Sequence, residues 1–273
     1  MEEIVMTNWK EIDTYVRKWI REAGQNIRNS FSSSLSIQTK SNPNDLVTNM
    51  DKETEQYFIK NIRHHFPDHH IMGEEGFGDE LTVLDGTVWI IDPIDGTMNF
   101  IHQQRNFAIS IGIYEQGEGK LGYIYDVVHD ELYFAERGKG AYMDDIPLPK
   151  LTERKLNESI LALNATWLIR NKYFKMEPLI QLAKDVRGNR SYGSAALEMA
   201  YVASGRLDGY LTMRLAPWDY AGGKIIIEEV GGVVTDLAGK PLDLLGVTSV
   251  FCGPPQLHQT ILTQYLSETK DKN

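Results

Sequence analysis

The sequence predicts a mixed α/β fold of the α+β kind, with a mixed or antiparallel sheet in its N-terminal half and a second sheet in its C-terminal half. Three observations predict it. Val88 to Ile91 is a continuous run of β-branched and aromatic residues, the pattern of a strand buried on both faces. Residues 107–142 read as a meander, with strands over 107–114, 122–128 and 131–136 joined by short turns. Beyond it, strand-like and helix-like segments alternate. At 273 residues the chain can hold one extended core or two fused halves, about 1–145 and 146–273. No linker or repeat divides it, so one domain is expected.

Taken in order, Trp9, Ile12, Val16, Trp19, Ile20, Ala23 and Ile27 recur at helical spacing and predict a packing helix. A Ser-rich loop follows over 30–36. Thr48 with Asp51 three positions on forms a capping box that opens a second amphipathic helix carrying Tyr57, Phe58 and Ile62. Histidines 64, 65, 69 and 70 are expected to be solvated, because neighbours in a looped segment cannot all face one ion. Glu74 and Glu75 end a strand and point to opposite faces, so only one reaches a common site. By its place after Gly73, that one is Glu74. Residues 77–87 are polar and predict a loop beside it.

Gly138 to Ala141 lacks the spacing of a nucleotide cradle and reads as a turn. In the second half the expected elements are a strand at 159–164, a helix at 172–186, a helix entered through 190–196, and a strand at 207–213. Pro217-Trp218-Asp219 introduces a helix over 220–230, with Asp219 as its cap and Gly231-Gly232 as its stop. Cys252, the one cysteine, sits in an apolar run and is expected to be buried and inert.

Composition sets the bounds. Hydrophobic residues are 42% and charged residues 24%, an ordinary globular profile, and no apolar run approaches the ~20 residues that cross a bilayer. The N-terminus lacks a basic region followed by an apolar stretch, so a cytoplasmic protein is expected. A formal net charge of −10 opposes attraction to nucleic acid or to an anionic membrane, and neither is an expected partner. The same charge would repel a phosphate unless cations reverse the local sign.

The chemistry concentrates where the buried strand ends, in Asp92-Pro93-Ile94-Asp95-Gly96-Thr97. Pro93 has no N–H for a sheet ladder and is expected to end the strand, turning Asp92 and Asp95 to one side. Gly96 permits close backbone approach, and Thr97 opens a short helix whose free amides favour an anion. Adjacent hard carboxylates suit Mg²⁺ shared with a phosphate, which makes phosphoryl chemistry the working expectation.

That hexapeptide, with Gly73-Glu74-Glu75 before it and Trp218-Asp219-Tyr220-Ala221-Gly222-Gly223 after it, resembles the inositol monophosphatase family in order and spacing, from about Trp9 to Leu266. The resemblance implies a layered αβαβα sandwich and a Mg²⁺-dependent, lithium-sensitive phosphomonoesterase acting on a small phosphorylated metabolite as a homodimer. It implies two to three Mg²⁺: one on Glu74, Asp92 and the Ile94 carbonyl, one on Asp92, Asp95 and Asp219, and a weaker third sharing Glu74. It gives Asp51 and Thr97 the task of orienting the attacking water, and counts Glu74 with them as catalytic. The Gly96 and Thr97 amides hold phosphate oxygens, and Asp95, Gly193, Ser194 and Ala195 line the substrate. Lys40 and Asp45 also match positions near the pocket. Were four such acids to converge near 5 Å, six like-charge pairs would cost up to ~20 kcal/mol at an effective dielectric of 20, so cations must neutralise them. The family's inositol-binding enzymes carry a glutamate seven residues before the aspartate of the Trp-Asp motif, where this chain has Thr212. Sugar phosphates and the 2′-phosphate of NADP are therefore alternative substrates. Some bacterial relatives act instead as protein partners of the transcription machinery, the second class of function left open.

Overall fold

The computed structural model describes residues 7–32, 36–39, 46–169 and 175–267. Helix α1 (Trp9–Ser30) buries the predicted stripe from Ile12 to Ile27, with Trp9 half-buried, and is capped by Asn8, whose side chain accepts from Glu11 N. A short hairpin of β1 (Ile37–Thr39) and β2 (Leu46–Thr48) leads to α2 (Asn49–His65), which opens with the predicted capping box.

The first large sheet has seven strands in simple chain order: β3 (His70–Gly73), β4 (Thr87–Asp95), β5 (Ala108–Glu115), β6 (Glu118–Asp126), β7 (Glu131–Glu136), β8 (Gly140–Met143) and β9 (Ile146–Pro147). The β3–β4 pair is parallel and every later pair antiparallel, so the predicted meander is present. Short α3 (Thr97–Gln103) lies between β4 and β5. All nine residues of β4 are buried.

The second half supplies β10 (Ile160–Leu163), α4 (Ala165–Ile169), α5 (Met176–Asp185), β11 (Gly188–Arg190), α6 (Ala195–Ala203), β12 (Gly209–Leu215), α7 (Pro217–Glu229), β13 (Val233–Thr235), β14 (Thr248–Gly253) and α8 (Pro255–Ile261). Its sheet has the order β11-β10-β12-β14-β13, parallel at β11-β10-β12 and antiparallel beyond.

Three apolar clusters account for the layering. One joins α1 and α2 to one face of the first sheet through Val16, Ile20, Phe58, Trp89 and Ile111. The central one packs α6 and α7 between the two sheets, and the third packs α5 and α8 on the outer face of the second. The order is the expected αβαβα. Helix α6 is buried all round because it has a sheet on each side. Helix α7 lies close on the first sheet because Gly222 has no side chain: a Cβ there would meet the Ile111 and Tyr123 carbonyl oxygens at 2.8 Å.

Three expectations are corrected. Strand β4 does not stop at Pro93 but runs on to Asp95, with a register irregularity between Asp92 and Asp95 that absorbs the missing N–H. Asp219 is not the cap residue of α7 but its third residue, reaching back to the Ala216 amide. The histidine tract is not simply solvated. His65 and His69 join an aromatic cluster with Tyr15, Trp19, Phe66 and Trp89, and Trp89 Nε1 is 2.9 Å from His69 Nδ1. Cys252 is buried, as expected. No helix among the described residues is long and apolar enough to cross a membrane.

Candidate metal and phosphate site

The irregular end of β4 builds the site. Asp92 Oδ1 accepts from Ile94 N at 3.0 Å, bending the chain so that Asp92 and Asp95 share one side. Gly96 follows with φ +92°, left-handed, and caps α3. A Cβ at Gly96 would lie 3.2 Å from the Asn106 and Gly193 carbonyl oxygens and from Ser194 Cβ, so this glycine lets the two halves touch. Helix α7, drawn onto β5 and β6, carries Asp219 to the same point. Asp92, Asp95 and Asp219 thus present carboxylate oxygens all within 4.8 Å of one another.

Each is held. Asp95 accepts from the Ser194 hydroxyl and from Ala196 N at 2.8 Å, and Asp219 accepts from Ala216 N at 2.7 Å. Each is also unhappy as an anion. Burial first, then Glu74, Asp95 and Asp219, raises the Asp92 carboxyl well above the ordinary range. Burial and then Asp95 and Glu74 do the same to Asp219. Asp95 is pushed up to about 6, chiefly by burial, with the Ser194 and Ala196 hydrogen bonds pulling it back. At 4.8 Å and an effective dielectric of 20, each charged pair costs about 3 kcal/mol. A divalent cation removes that cost, and hard carboxylate oxygens suit Mg²⁺, so the donor set fits the ion.

Glu74 lies just past β3, its amide donating to Ile91 O at 3.2 Å beside β4, and its charge acts on Asp92, Asp95 and Asp219. The Ile94 carbonyl is 3.1 Å from Thr97 Oγ1. Thr97 Oγ1 is also 3.1 Å from Asp51 Oδ1, and Asp51 Oδ2 takes the Thr48 amide at 2.8 Å. Capping α2 and meeting Thr97 are therefore done by different oxygens of one carboxylate. Lys40 and Asp45 lie outside the described residues.

Gly193, Ser194, Ala195 and Thr212 line an open cavity of about 250 Å³ together with Asp95 and Asp219. The Ser194 hydroxyl is spent inside the protein, donating to Asp95 and accepting from Leu197 N at 3.3 Å. Thr212 Oγ1 accepts from Trp167 Nε1 at 3.1 Å.

Sequence reasoning missed several residues here. Glu198 faces the cavity and is pushed up to about 7, mainly by burial. Its signal was legible as the lone charge in the apolar run Ala195 to Ala203. Glu55 accepts the Glu75 and Phe77 amides at 2.7 and 3.0 Å, fixing the turn that bears Glu74. Its signal was the four-residue spacing from Asp51 on one helix face. Asn99, which donates to Asn106 O and Tyr192 O at 2.8 and 2.6 Å, and Trp167 had no local signal.

This chain is 60% identical over 265 residues to the inositol-1-monophosphatase of Bacillus subtilis (strain 168), a match covering 97% of this chain and all of that one. Among solved structures it resembles staphylococcal SaIMPase-II bound to inositol monophosphate (42% identity, TM-score 0.84) and bound to 2′AMP (42% identity, TM-score 0.85), each over 94% of both chains. The model of the inositol monophosphatase family matches residues 8–270, spanning both sheets and every carboxylate above, and the chain belongs to that family.

Proposed function

We propose that the protein is a Mg²⁺-dependent phosphomonoesterase that hydrolyses inositol monophosphate or related small phosphate monoesters with water as the nucleophile. The observation that carries this is the convergence of buried Asp92 and Asp95 with half-buried Asp219 beside a cavity that Asp95 and Asp219 also line. Bound Mg²⁺ would supply Lewis-acid stabilisation of the phosphate and a more acidic water. Glu74, Asp92 and the Ile94 carbonyl would hold one ion, Asp92, Asp95 and Asp219 a second, and Glu74 would share a weaker third.

The chain's own part is positioning. A hydroxyl whose proton goes to Asp51 leaves the Thr97 oxygen free to accept from a water, which supports the pair as its orienting group. The Gly96 and Thr97 amides would hold phosphate oxygens. Gly193, Ser194, Ala195 and Thr212 would face the leaving group. Because ligands come from both halves, 1–145 and 146–273 would work as one unit, and family resemblance supports a homodimer.

A second reading, a nucleoside 2′-phosphate as substrate, is favoured by Trp167, which gives the same cavity an aromatic wall. Phosphate release from inositol 1-phosphate, measured with Mg²⁺ and with chelator, tests the proposal. Release that does not depend on Mg²⁺, or no release, would overturn it.

A further inference from the structure

Asp219 reaches the carboxylate cluster on α7, and two hydroxyls of β5 tie that helix to the first sheet. Ser110, Gly112 and Tyr114 alternate along β5 and so share one face, the face on which α7 lies. Ser110 stands opposite Asp92 in the β4–β5 ladder, and its Oγ donates to the carbonyl of Trp218, the residue before Asp219, at 3.2 Å. The Tyr114 hydroxyl donates to Ala221 O at 2.9 Å, two residues past Asp219. Both side chains are buried. Burial raises the Tyr114 phenol well above its ordinary value, so it keeps the proton it donates.

The rest of this contact is smooth. A Cβ at Gly112 would lie 2.8 Å from the Ala221 carbonyl carbon, and one at Gly122 would meet the Gly222 carbonyl oxygen, so backbone rests on backbone. Such a contact sets how near α7 lies to the strands. It places no side-chain ridge in a groove, and therefore resists sliding along them weakly. The hydroxyls supply that constraint, because a hydrogen bond weakens steeply once its partners move out of line. Inside α7 the helical ladder already pairs each carbonyl with the amide four residues on, so what the two side chains add is position. Tyr220 also reaches outward, to Asp243 O at 2.6 Å, but that carbonyl lies in the loop ahead of β14, away from the strand that carries Asp92 and Asp95.

Resting on the Mg²⁺ reading above, we infer that Ser110 and Tyr114 are positioning residues for the metal site, holding α7 in register on β5 so that the Asp219 carboxylate meets those of Asp92 and Asp95. The three acids come within 4.8 Å of one another from opposite halves of the chain. Mg²⁺ takes its ligands at about 2.0 to 2.1 Å in near-octahedral geometry, so a slide of α7 by part of its ~1.5 Å rise per residue weakens the site.

The test is the Mg²⁺ dissociation constant, measured by calorimetry at pH 8, beside the melting temperature in chelator. Tyr114→Phe and Ser110→Ala each remove one hydroxyl and leave the helical ladder intact, and each is expected to weaken Mg²⁺ binding about fivefold. Either hydroxyl alone still limits the slide, so the double variant is expected to weaken binding beyond the product of the two. Each single variant tests the inference by itself, should the other fold poorly. Ile225→Val is the control: Ile225 packs on Gly119 and Gly122 from the same helix, and trimming it is expected to lower the melting temperature while leaving the dissociation constant within about twofold. An unchanged constant in the folded hydroxyl variants, or an equal weakening by Ile225→Val, overturns the inference and leaves both hydroxyls as ordinary packing contacts. Wild type that binds no Mg²⁺ would be a different result, overturning the metal reading and this one with it.

Discussion

Asp95 accepts a hydrogen bond from the Ala196 amide at 2.8 Å, so a carboxylate at the end of β4 is held by the first turn of α6, 101 residues away. The bond joins the two sheets at the point where the acids converge. It also gives one residue two tasks, bracing the halves and facing the metal cluster, which a substitution can separate.

Asp95→Asn keeps the side-chain shape and its carbonyl can still accept from Ser194 and Ala196, but one charge leaves the cluster. Turnover at saturating Mg²⁺ is expected to fall at least tenfold, as measured by phosphate release. The metal-free protein is expected to melt at the same temperature or higher, because an acid raised to about 6 is uncomfortable when ionised. A clear drop in the metal-free melting temperature would instead assign Asp95 a mainly structural charge.

The metal-free protein is expected to lose stability as pH rises from 6.5 to 8. Asp95 and Glu198, raised to about 6 and about 7, hold their protons more tightly folded than unfolded. Their protonation stabilises the fold at low pH and that contribution is lost as pH climbs through those values; most of the loss for Asp95 is complete by pH 6.5, so within the window Asp95 gives only about 0.2 kcal/mol and Glu198 about 0.8 kcal/mol. Asp92 and Asp219, raised further, act in the same direction. His69 and His258, both lowered by burial, oppose this only below about 6.5, which sets the lower edge of the window. Thermal melts in chelator across the window should therefore slope downward. Saturating Mg²⁺ should flatten the slope, and an equal slope with and without the ion would contradict the cluster's assignment.

Local pattern made much of this legible. The α1 stripe, the buried β4 run, the capping box at Thr48 and Asp51, and the hexapeptide from Asp92 to Thr97 all signal their structure within a few residues. What escaped depends on contacts distant in sequence. Pro93 stays in β4 because the Asp92–Asp95 irregularity takes up its missing N–H, and a single strand's sequence does not show its partner's register. Trp167 reaches Thr212 across 45 residues. The histidines read as solvated because the tract is polar in sequence, yet Trp19 and Trp89 come to it from α1 and β4.

Glu55→Gln tests how the turn bearing Glu74 is held. Glu55 uses one oxygen for each of two amides, Glu75 N and Phe77 N, and glutamine keeps only one acceptor oxygen. One part-buried N–H would lose its partner, at a cost of about 1 kcal/mol. The Mg²⁺ concentration for half-maximal rate is expected to rise several-fold, with kcat at saturating Mg²⁺ largely kept. A fall in kcat with unchanged Mg²⁺ dependence would show that Glu55 does not act through Glu74.

Thr212→Glu is the last and most specific expectation. Thr212 is 5% exposed, lines the cavity and accepts from Trp167, so a glutamate there would retain an acceptor and push a second carboxylate toward the leaving group. A charge-assisted hydrogen bond to a polyol hydroxyl is worth roughly 1.5 to 3 kcal/mol, or about ten- to a hundredfold in kcat/KM. The new charge would stand on the same cavity wall as Glu198 and would disfavour leaving groups that carry further phosphates. The ratio of kcat/KM for inositol 1-phosphate to that for NADP, taken at one fixed Mg²⁺ concentration, should therefore rise in the variant. Some of the gain would be offset by repulsion from Glu198, so Thr212→Glu combined with Glu198→Gln should recover inositol phosphate turnover beyond the single change. If the ratio stays level in both variants, position 212 does not meet the leaving group, and its hydroxyl serves only to anchor the Trp167 indole.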